Sequence, residues 1–238
     1  MHETKVSAGQ AVILAAGRGT RMRDLTEGMP KALLEVEGKT LLEHKLDILP
    51  DSIDEVIIVV GYLGSHIQQR FGGHYRGKRL LYVEQENLNG TAAALFLARD
   101  ILRGRFLVLM GDDIYAREDL ERCLNADGWA LLVQKVPNMS EGGDVIQDAR
   151  GQIIEIREGS HAGKAGRVST NMFILDTRIF TAPMIPKAPG SDEYGLPQTA
   201  LAAASALEIP FTAFDTRQWI HISSPEDLEK ASKMLAKR

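Results

Sequence analysis

Apolar positions along the chain fall into two recurring patterns. Short unbroken runs occur at Ala11-Val12-Ile13-Leu14, Val56-Ile57-Ile58-Val59-Val60, Leu80 to Glu84 and Phe106 to Met110. They have the length of strands and mostly lack polar alternation, as expected where a sheet is covered on both faces. Between them lie stretches with apolar residues at helical spacing. Thr40 to Leu49 places Leu41, Leu42, the Lys45 stem, Leu46 and Leu49 on one face, with Thr40 as N-cap. Ser65 to Phe71 reads as helical, and Thr91 to Leu102 is an Ala/Leu-rich helix. Repeated β-α units predict an α/β protein with a mostly parallel, Rossmann-like sheet flanked by helices and joined by right-handed crossovers.

The second half is less regular. Trp129 to Lys135, Ile153 to Glu158 and Val168 to Asp176 read as strands. Asn138 to Asp144 and Gly159 to Gly166 are polar and glycine-bearing, and read as loops. Pro225-Glu226-Asp227-Leu228 starts a terminal helix, with Ser223 or Ser224 as N-cap and acids in its first turn. No internal repeat or low-complexity stretch interrupts the chain.

Chemistry concentrates at the ends of the apolar runs. The first run feeds Leu14 to Lys31, reading LAAGRGTRMRDLTEGMPK, with Gly17 and Gly19 in the loop and Arg18, Arg21, Arg23 and Lys31 close by. Small residues, backbone N–H donors and fixed positive charge are what a triphosphate requires. The string is not GxxxxGK[ST], and GRGTRM has only the first two glycines of a dinucleotide fingerprint. Pro30 argues against a helix running straight out of the loop. The fourth run ends in Gly111-Asp112-Asp113, which reads either as a turn or as hard oxygen ligands for Mg²⁺. Ligands of parallel sheets sit beyond the carboxyl ends of the strands, so both motifs point to one crevice.

Composition narrows the classes. With 238 residues and a formal net charge of −4, general nucleic-acid binding is unsupported and any positive potential is local. The one cysteine, Cys123, excludes an internal disulfide framework and reads as a buried thiol. MHETKVSAGQ lacks the apolar core of a signal peptide, and no apolar run approaches the roughly 20 residues that span a bilayer. A soluble, cytoplasmic protein with no nucleic-acid or membrane partner is expected.

GxGTRM followed by a Pro-Lys pair resembles the start of the sugar-phosphate nucleotidylyltransferases, which make NDP-sugars from an NTP and a sugar 1-phosphate. The resemblance runs from Ala11 to about Leu235 and implies a GT-A-like nucleotidyltransferase fold with a smaller sugar-binding β subregion. It implies one domain over 1–238: a nucleotide-binding half at 10–125, a sugar-phosphate-binding half at 126–222 and a C-terminal helix at 223–238. Arg21 and Lys31 are then the catalytic phosphate contacts. Leu14, Ala15, Ala16, Gly17, Gly19, Thr20, Gln85, Gly90 and Thr91 contact the nucleotide, since Gln85 to Ala92 matches the family's Q-x(4)-G-T-A base loop. A Gln amide there favours UTP or dTTP. Gly143, Glu158 and Asn171 correspond to the sugar contacts.

Departures from the pattern bear on mechanism. Asp24 replaces the proline of a P-x-T string, a minor change. Gly159 follows Glu158 where the family often has Lys, so a cation for the sugar phosphate is missing unless Lys164 or Arg157 substitutes. Trp219-Ile220-His221-Ile222-Ser223 stands where the family has W-x-D-[IV]-G, which puts His221 at the second metal ligand beside Asp112. Imidazole suits Mn²⁺ or Co²⁺ better than the expected Mg²⁺. Three outcomes stay open: a metal-shifted enzyme, an Mg²⁺ enzyme leaning on Asp113, or a weakened catalyst. Two other functions also remain: a CTP-dependent cytidylyltransferase for phosphocholine or an inositol phosphate, and a non-catalytic nucleotide-sugar sensor. The implied partners are an NTP and a phosphorylated sugar or alcohol, with a homo-oligomer compatible with the family.

Overall fold

The computed structural model describes residues 8–236. The chain through Ser7, the last two residues and the side chains of Arg23, Asp24 and Glu141 lie outside the described residues. The main elements are β1 (Gln10–Leu14), α1 (Leu41–Ile48), β2 (Glu55–Val60), α2 (Gly64–Phe71), β3 (Lys78–Glu84), α3 (Thr91–Phe96), β4 (Arg105–Met110), β5 (Asp113–Tyr115) and α4 (Arg117–Leu124). They continue with β6 (Trp129–Glu141), β7 (Asp144–Gln147), β8 (Ile153–Arg157), β9 (Ser160–Asp176), α5 (Leu196–Ala206), β10 (Phe211–Asp215), β11 (Trp219–His221) and α6 (Pro225–Leu235).

The unbroken apolar runs are the centre of one sheet. In the order β3-β2-β1-β4, all four strands are parallel. Alternate residues of each run enter separate cores on the two faces: Val12, Ile57 and Val108 on one, Ile13, Ile58 and Leu109 on the other. A strand buried on both sides has no polar face, hence the missing alternation. Strand order reverses beside β1, because β2 and β3 extend to one side while β4 lies on the other. A crevice opens beyond the strand ends at such a reversal. Next to β4 the sheet turns antiparallel through β9, which pairs with β6, and β10 joins β6 in parallel.

Local capping explains the element starts. Thr40 Oγ1 accepts from the Glu43 N–H while Glu43 accepts from the Thr40 N–H, a capping box at α1. Cys123 is fully buried on α4. No helix of the described residues is long and apolar enough to cross a membrane.

Three expected boundaries differ. The helix predicted over Thr91 to Leu102 ends at Phe96. Beyond it Ala98 donates to Leu95 and Ile101 to Ala98, three-residue bonds that tighten the chain while Ala98 and Leu102 still reach the core. The expected loop at Asn138 to Asp144 is largely the end of β6, and that at Gly159 to Gly166 is largely the start of β9. These arms form a bulged antiparallel ribbon, with Gly166 opposite Val136 and Lys164 opposite Met139. The β9 arm is largely exposed, so no apolar alternation marks it.

Candidate active site

The crevice at the strand reversal is built by two loops in close contact. Leu14 and Met110 end β1 and β4 side by side, and the Gly111 N–H donates to the Leu14 carbonyl at 2.7 Å. A Cβ on Gly111 would lie 2.8 Å from that carbonyl, so only glycine lets the Gly-Asp-Asp turn pass the first loop. Gly19 has φ +65°, and a Cβ there would crowd the Lys31 side chain at 3.2 Å. The loop winds into a short 3₁₀ segment over Thr20–Thr26, held by Met22 N–H and Thr26 Oγ1 donating to the Gly19 carbonyl.

Leu14, Ala15, Gly17, Gly19, Thr20 and Arg21 line a cavity of about 220 Å³ together with Lys31, Gly111, Asp112 and Ser223. Ala16 does not line it; its carbonyl backs Gly61, where an added Cβ would lie 2.7 Å away. A larger opening of about 850 Å³ lies between α5 and β8 and touches none of Arg21, Lys31, Asp112 or His221.

At the floor, Lys31 Nζ donates to Asp112 Oδ2 at 2.6 Å. Burial alone would raise the Asp112 carboxyl, but Lys31, His221 and Lys45 together hold it below the usual carboxylate range. Strands β5 and β11 pair antiparallel with Asp113 opposite His221, which brings together residues far apart in sequence. His221 Nδ1 lies 2.6 Å from Asp113 Oδ1 and 4.0 Å from Asp112 Oδ2. In the neutral ring with its proton on Nδ1, Nδ1 donates to Asp113 and Nε2 carries the lone pair. Asp113 Oδ2 accepts from the buried Tyr115 hydroxyl at 2.9 Å. Burial pushes the imidazole down, yet Asp113 and Asp112 lift it above its ordinary value. Burial raises the Asp113 carboxyl, with Asp112 adding to it and the His221 hydrogen bond opposing.

Asp112, Asp113 and His221 each offer a ligand atom, all within 4.8 Å of one another. Carboxylate oxygen with one imidazole is a donor set that fits a divalent cation. Asp113 has both oxygens engaged, one by His221 and one by Tyr115.

The base-loop and sugar candidates meet through a segment that the sequence did not single out. Gln85 is buried, and its amide sits 3.4 Å from the Gly90 carbonyl. Gly90 caps α3 at φ +108°. Tyr194 donates its N–H to Asn89, accepts from Ala92, and the Leu196 N–H donates to Thr91 Oγ1 at 3.0 Å. Three residues on from Gly195, Gln198 donates to Glu158 Oε1 at 3.0 Å. Glu158 Oε1 in turn lies 2.8 Å from where a Cβ on Gly143 would be. Ser169 closes the group, its N–H donating to Gly143 and its hydroxyl donating to Asn171 at 3.3 Å. Asn171 sits at φ +53° within a register shift of β9. Gly143, Glu158 and Asn171 therefore share one neighbourhood. Of the two proposed substitutes for the missing lysine, Arg157 is committed to Glu155 by two bonds of 2.6 and 2.7 Å.

Several participants were not read from sequence. Ser223 lines the cavity, and Tyr115, Ser169 and Gln198 hold the candidates in place. Gln198 reaches Glu158 across 40 residues and Tyr115 reaches the Thr170 carbonyl across 55, separations that residue spacing does not encode.

The family model described as nucleotidyl transferase matches residues 10–238. UTP–glucose-1-phosphate uridylyltransferase AglF of Haloferax volcanii is 32% identical over 240 residues, covering 95% of this chain and 96% of AglF. The bifunctional protein GlmU of Methanocaldococcus jannaschii is 33% identical over 170 residues; the match spans 71% of this chain but 40% of that protein. A crystal structure of a Bacillus anthracis protein assigned as a glucose-1-phosphate thymidylyltransferase, in complex with a sucrose, superposes with a TM-score of 0.79 at 25% identity. That superposition covers 94% of each chain.

Proposed function

Since the chain belongs to the nucleotidyl transferase family and is a nucleotidyltransferase, we propose that it joins UTP or dTTP to a sugar 1-phosphate, giving an NDP-sugar and pyrophosphate. The carrying observation is the Lys31–Asp112 contact of 2.6 Å at the floor of a cavity lined by the Gly17–Arg21 loop. An ammonium, a guanidinium and a carboxylate around one small cavity suit a triphosphate and its counter-ion.

In this reading the reaction is an in-line displacement. An oxygen of the sugar phosphate forms a bond to the α-phosphorus, the α–β bridge bond breaks, and pyrophosphate leaves with that electron pair. The attacking oxygen is already anionic, so no general base is required. Arg21 and Lys31 neutralise the charge that builds on the transferring phosphate and the leaving group. Asp112 and His221 would hold a divalent cation, Mg²⁺ or with imidazole Mn²⁺ or Co²⁺, which screens charge between the phosphates when bound. Asp113 keeps the His221 ring oriented. Leu14 to Thr20 wrap the nucleotide, and Gln85, Gly90 and Thr91 read the base. Gly143, Glu158 and Asn171 take sugar hydroxyls, with Gln198 and Ser169 fixing their geometry. One domain carries these functions, with a nucleotide half at 10–125, a sugar-phosphate half at 126–222 and a closing segment at 223–238. Substrates of this kind suit a cytoplasmic location.

Pyrophosphate release is the test, from UTP, dTTP, CTP, ATP and GTP against sugar 1-phosphates, phosphocholine and inositol phosphate, each with Mg²⁺ and with Mn²⁺ or Co²⁺. Turnover of UTP or dTTP with a sugar 1-phosphate is expected. Turnover confined to CTP with an alcohol phosphate overturns the substrate assignment. Nucleotide binding with no release from any pair overturns catalysis.

A further inference from the structure

A second lysine stands behind the site with no role in that reaction. Lys45 is completely buried on α1, and its Nζ donates to the Leu41 carbonyl at 2.8 Å. Helix α1 packs on β5, the strand that begins with Asp113. The charges that act on the Lys45 ammonium are Asp113, Asp112 and Lys31. Burying an ammonium is costly unless opposite charge compensates it, and here the two carboxylates of the crevice offset that cost in part.

Charge at the floor follows by counting. Among the described residues, Asp112 and Asp113 bring two negative charges, while Lys31 and Lys45 bring two positive ones. His221 adds none or one more positive charge, and Arg21 lines the same cavity. The floor is therefore not negative before a nucleotide arrives. Lys31 already contacts one oxygen of Asp112, and Asp113 has both oxygens engaged. A divalent cation meets little net attraction in that setting, and a triphosphate supplies what is missing.

We propose that Lys45 is a buried counter-charge that keeps the Asp112–His221 site from holding a divalent cation in the free enzyme, so that the cation enters only with the triphosphate. This inference rests on the assignment of Asp112 and His221 as ligands. Burial lowers the Lys45 ammonium to about 8, so at neutral pH it keeps its proton. Lys45 touches neither substrate nor reacting atoms and acts only through the field at the two carboxylates.

The test is Mn²⁺ binding to the whole protein without nucleotide, read by the loss of the free-ion electron paramagnetic resonance signal and by calorimetry. Wild type is expected to bind Mn²⁺ only when a non-hydrolysable UTP analogue is present. Lys45→Met and Lys45→Gln, each checked for folding by circular dichroism, are expected to bind Mn²⁺ alone at least about tenfold tighter, the size of one pK unit of interaction. Adding Asp112→Asn to either variant is expected to remove that gain. Wild type binding Mn²⁺ alone as tightly as with the analogue overturns the inference, as does a folded Lys45 variant with no gain. A gain that survives Asp112→Asn overturns the assigned ligands instead. If no substrate pair turns over while these binding results hold, the reaction assignment fails and the counter-charge stands.

Discussion

Gly90 and Tyr194 are packed backbone against backbone: a Cβ at Gly90 would lie 2.3 Å from the Tyr194 carbonyl oxygen. At φ +108° and ψ 171°, Gly90 also occupies a region nearly closed to other residues. The missing side chain makes room for the Tyr194 backbone. Gly90→Ala is expected to cost about 1–3 kcal/mol from backbone strain, and to raise KM for the nucleotide by shifting Gln85 and Thr91. Thermal melts and steady-state kinetics measure both. An unchanged melting temperature means that the loop relaxes freely.

Lys31 offers the sharpest test of electrostatic catalysis. Its Nζ is the near partner of Asp112, and its side chain is 10% exposed, so its charge acts in a poorly screened site. Lys31→Ala is expected to lower kcat about 10²–10³-fold, the size of losing one preorganised charge contact. Single-turnover rates would decide it, and near-full activity would remove Lys31 from the chemistry.

How much of this was legible depended on the range over which each feature is specified. The doubly buried strands showed as Val56 to Val60 and Phe106 to Met110 because covering both faces removes polar positions. The Thr40–Glu43 box showed because capping partners are three residues apart. Asp112 and Lys31 were legible through motif and strand end. The Asp113–His221 pair was not, since 108 residues separate them and only the β5–β11 register joins them. The bulged ribbon of β6 and β9 read as two loops because its exposed arm carries glycines and polar residues in place of alternation. Lys45 read as an aliphatic stem, since spacing reports which face a residue is on and not whether its charged tip is buried as well.

Asp113 separates orientation from ligation. Asp113→Asn keeps the size of the side chain but weakens its hold on the His221 Nδ1 proton, so the ring loses its fixed tautomer. Metal affinity or metal-dependent activity is expected to fall about 10–100-fold, the range for losing a residue that supports a ligand. Activity titrated against Mn²⁺ with UTP saturating reports it. A change in kcat with the metal requirement unmoved would mean that His221 does not hold the cation.

Asp227 ties the last helix to the site through Ser223. Its Oδ2 accepts from the Ser223 and Ser224 N–H groups at 3.0 Å each, and Oδ1 from Lys230 at 2.8 Å. Burial works against ionisation, but these hydrogen bonds outweigh it and hold the carboxyl well below its ordinary value. A depressed carboxyl stabilises the fold at every pH above the unfolded value of about 3.9, and the contribution fades as pH falls below that value toward the folded one. Asp227→Asn is expected to cost about 0.5–2 kcal/mol at pH 7, as for loss of a helix cap. Melting curves of both proteins from pH 7 to pH 2 should show the gap narrowing only below about pH 4. A gap that stays constant into acid would mean that the carboxylate's charge contributes nothing and that packing alone carries the difference.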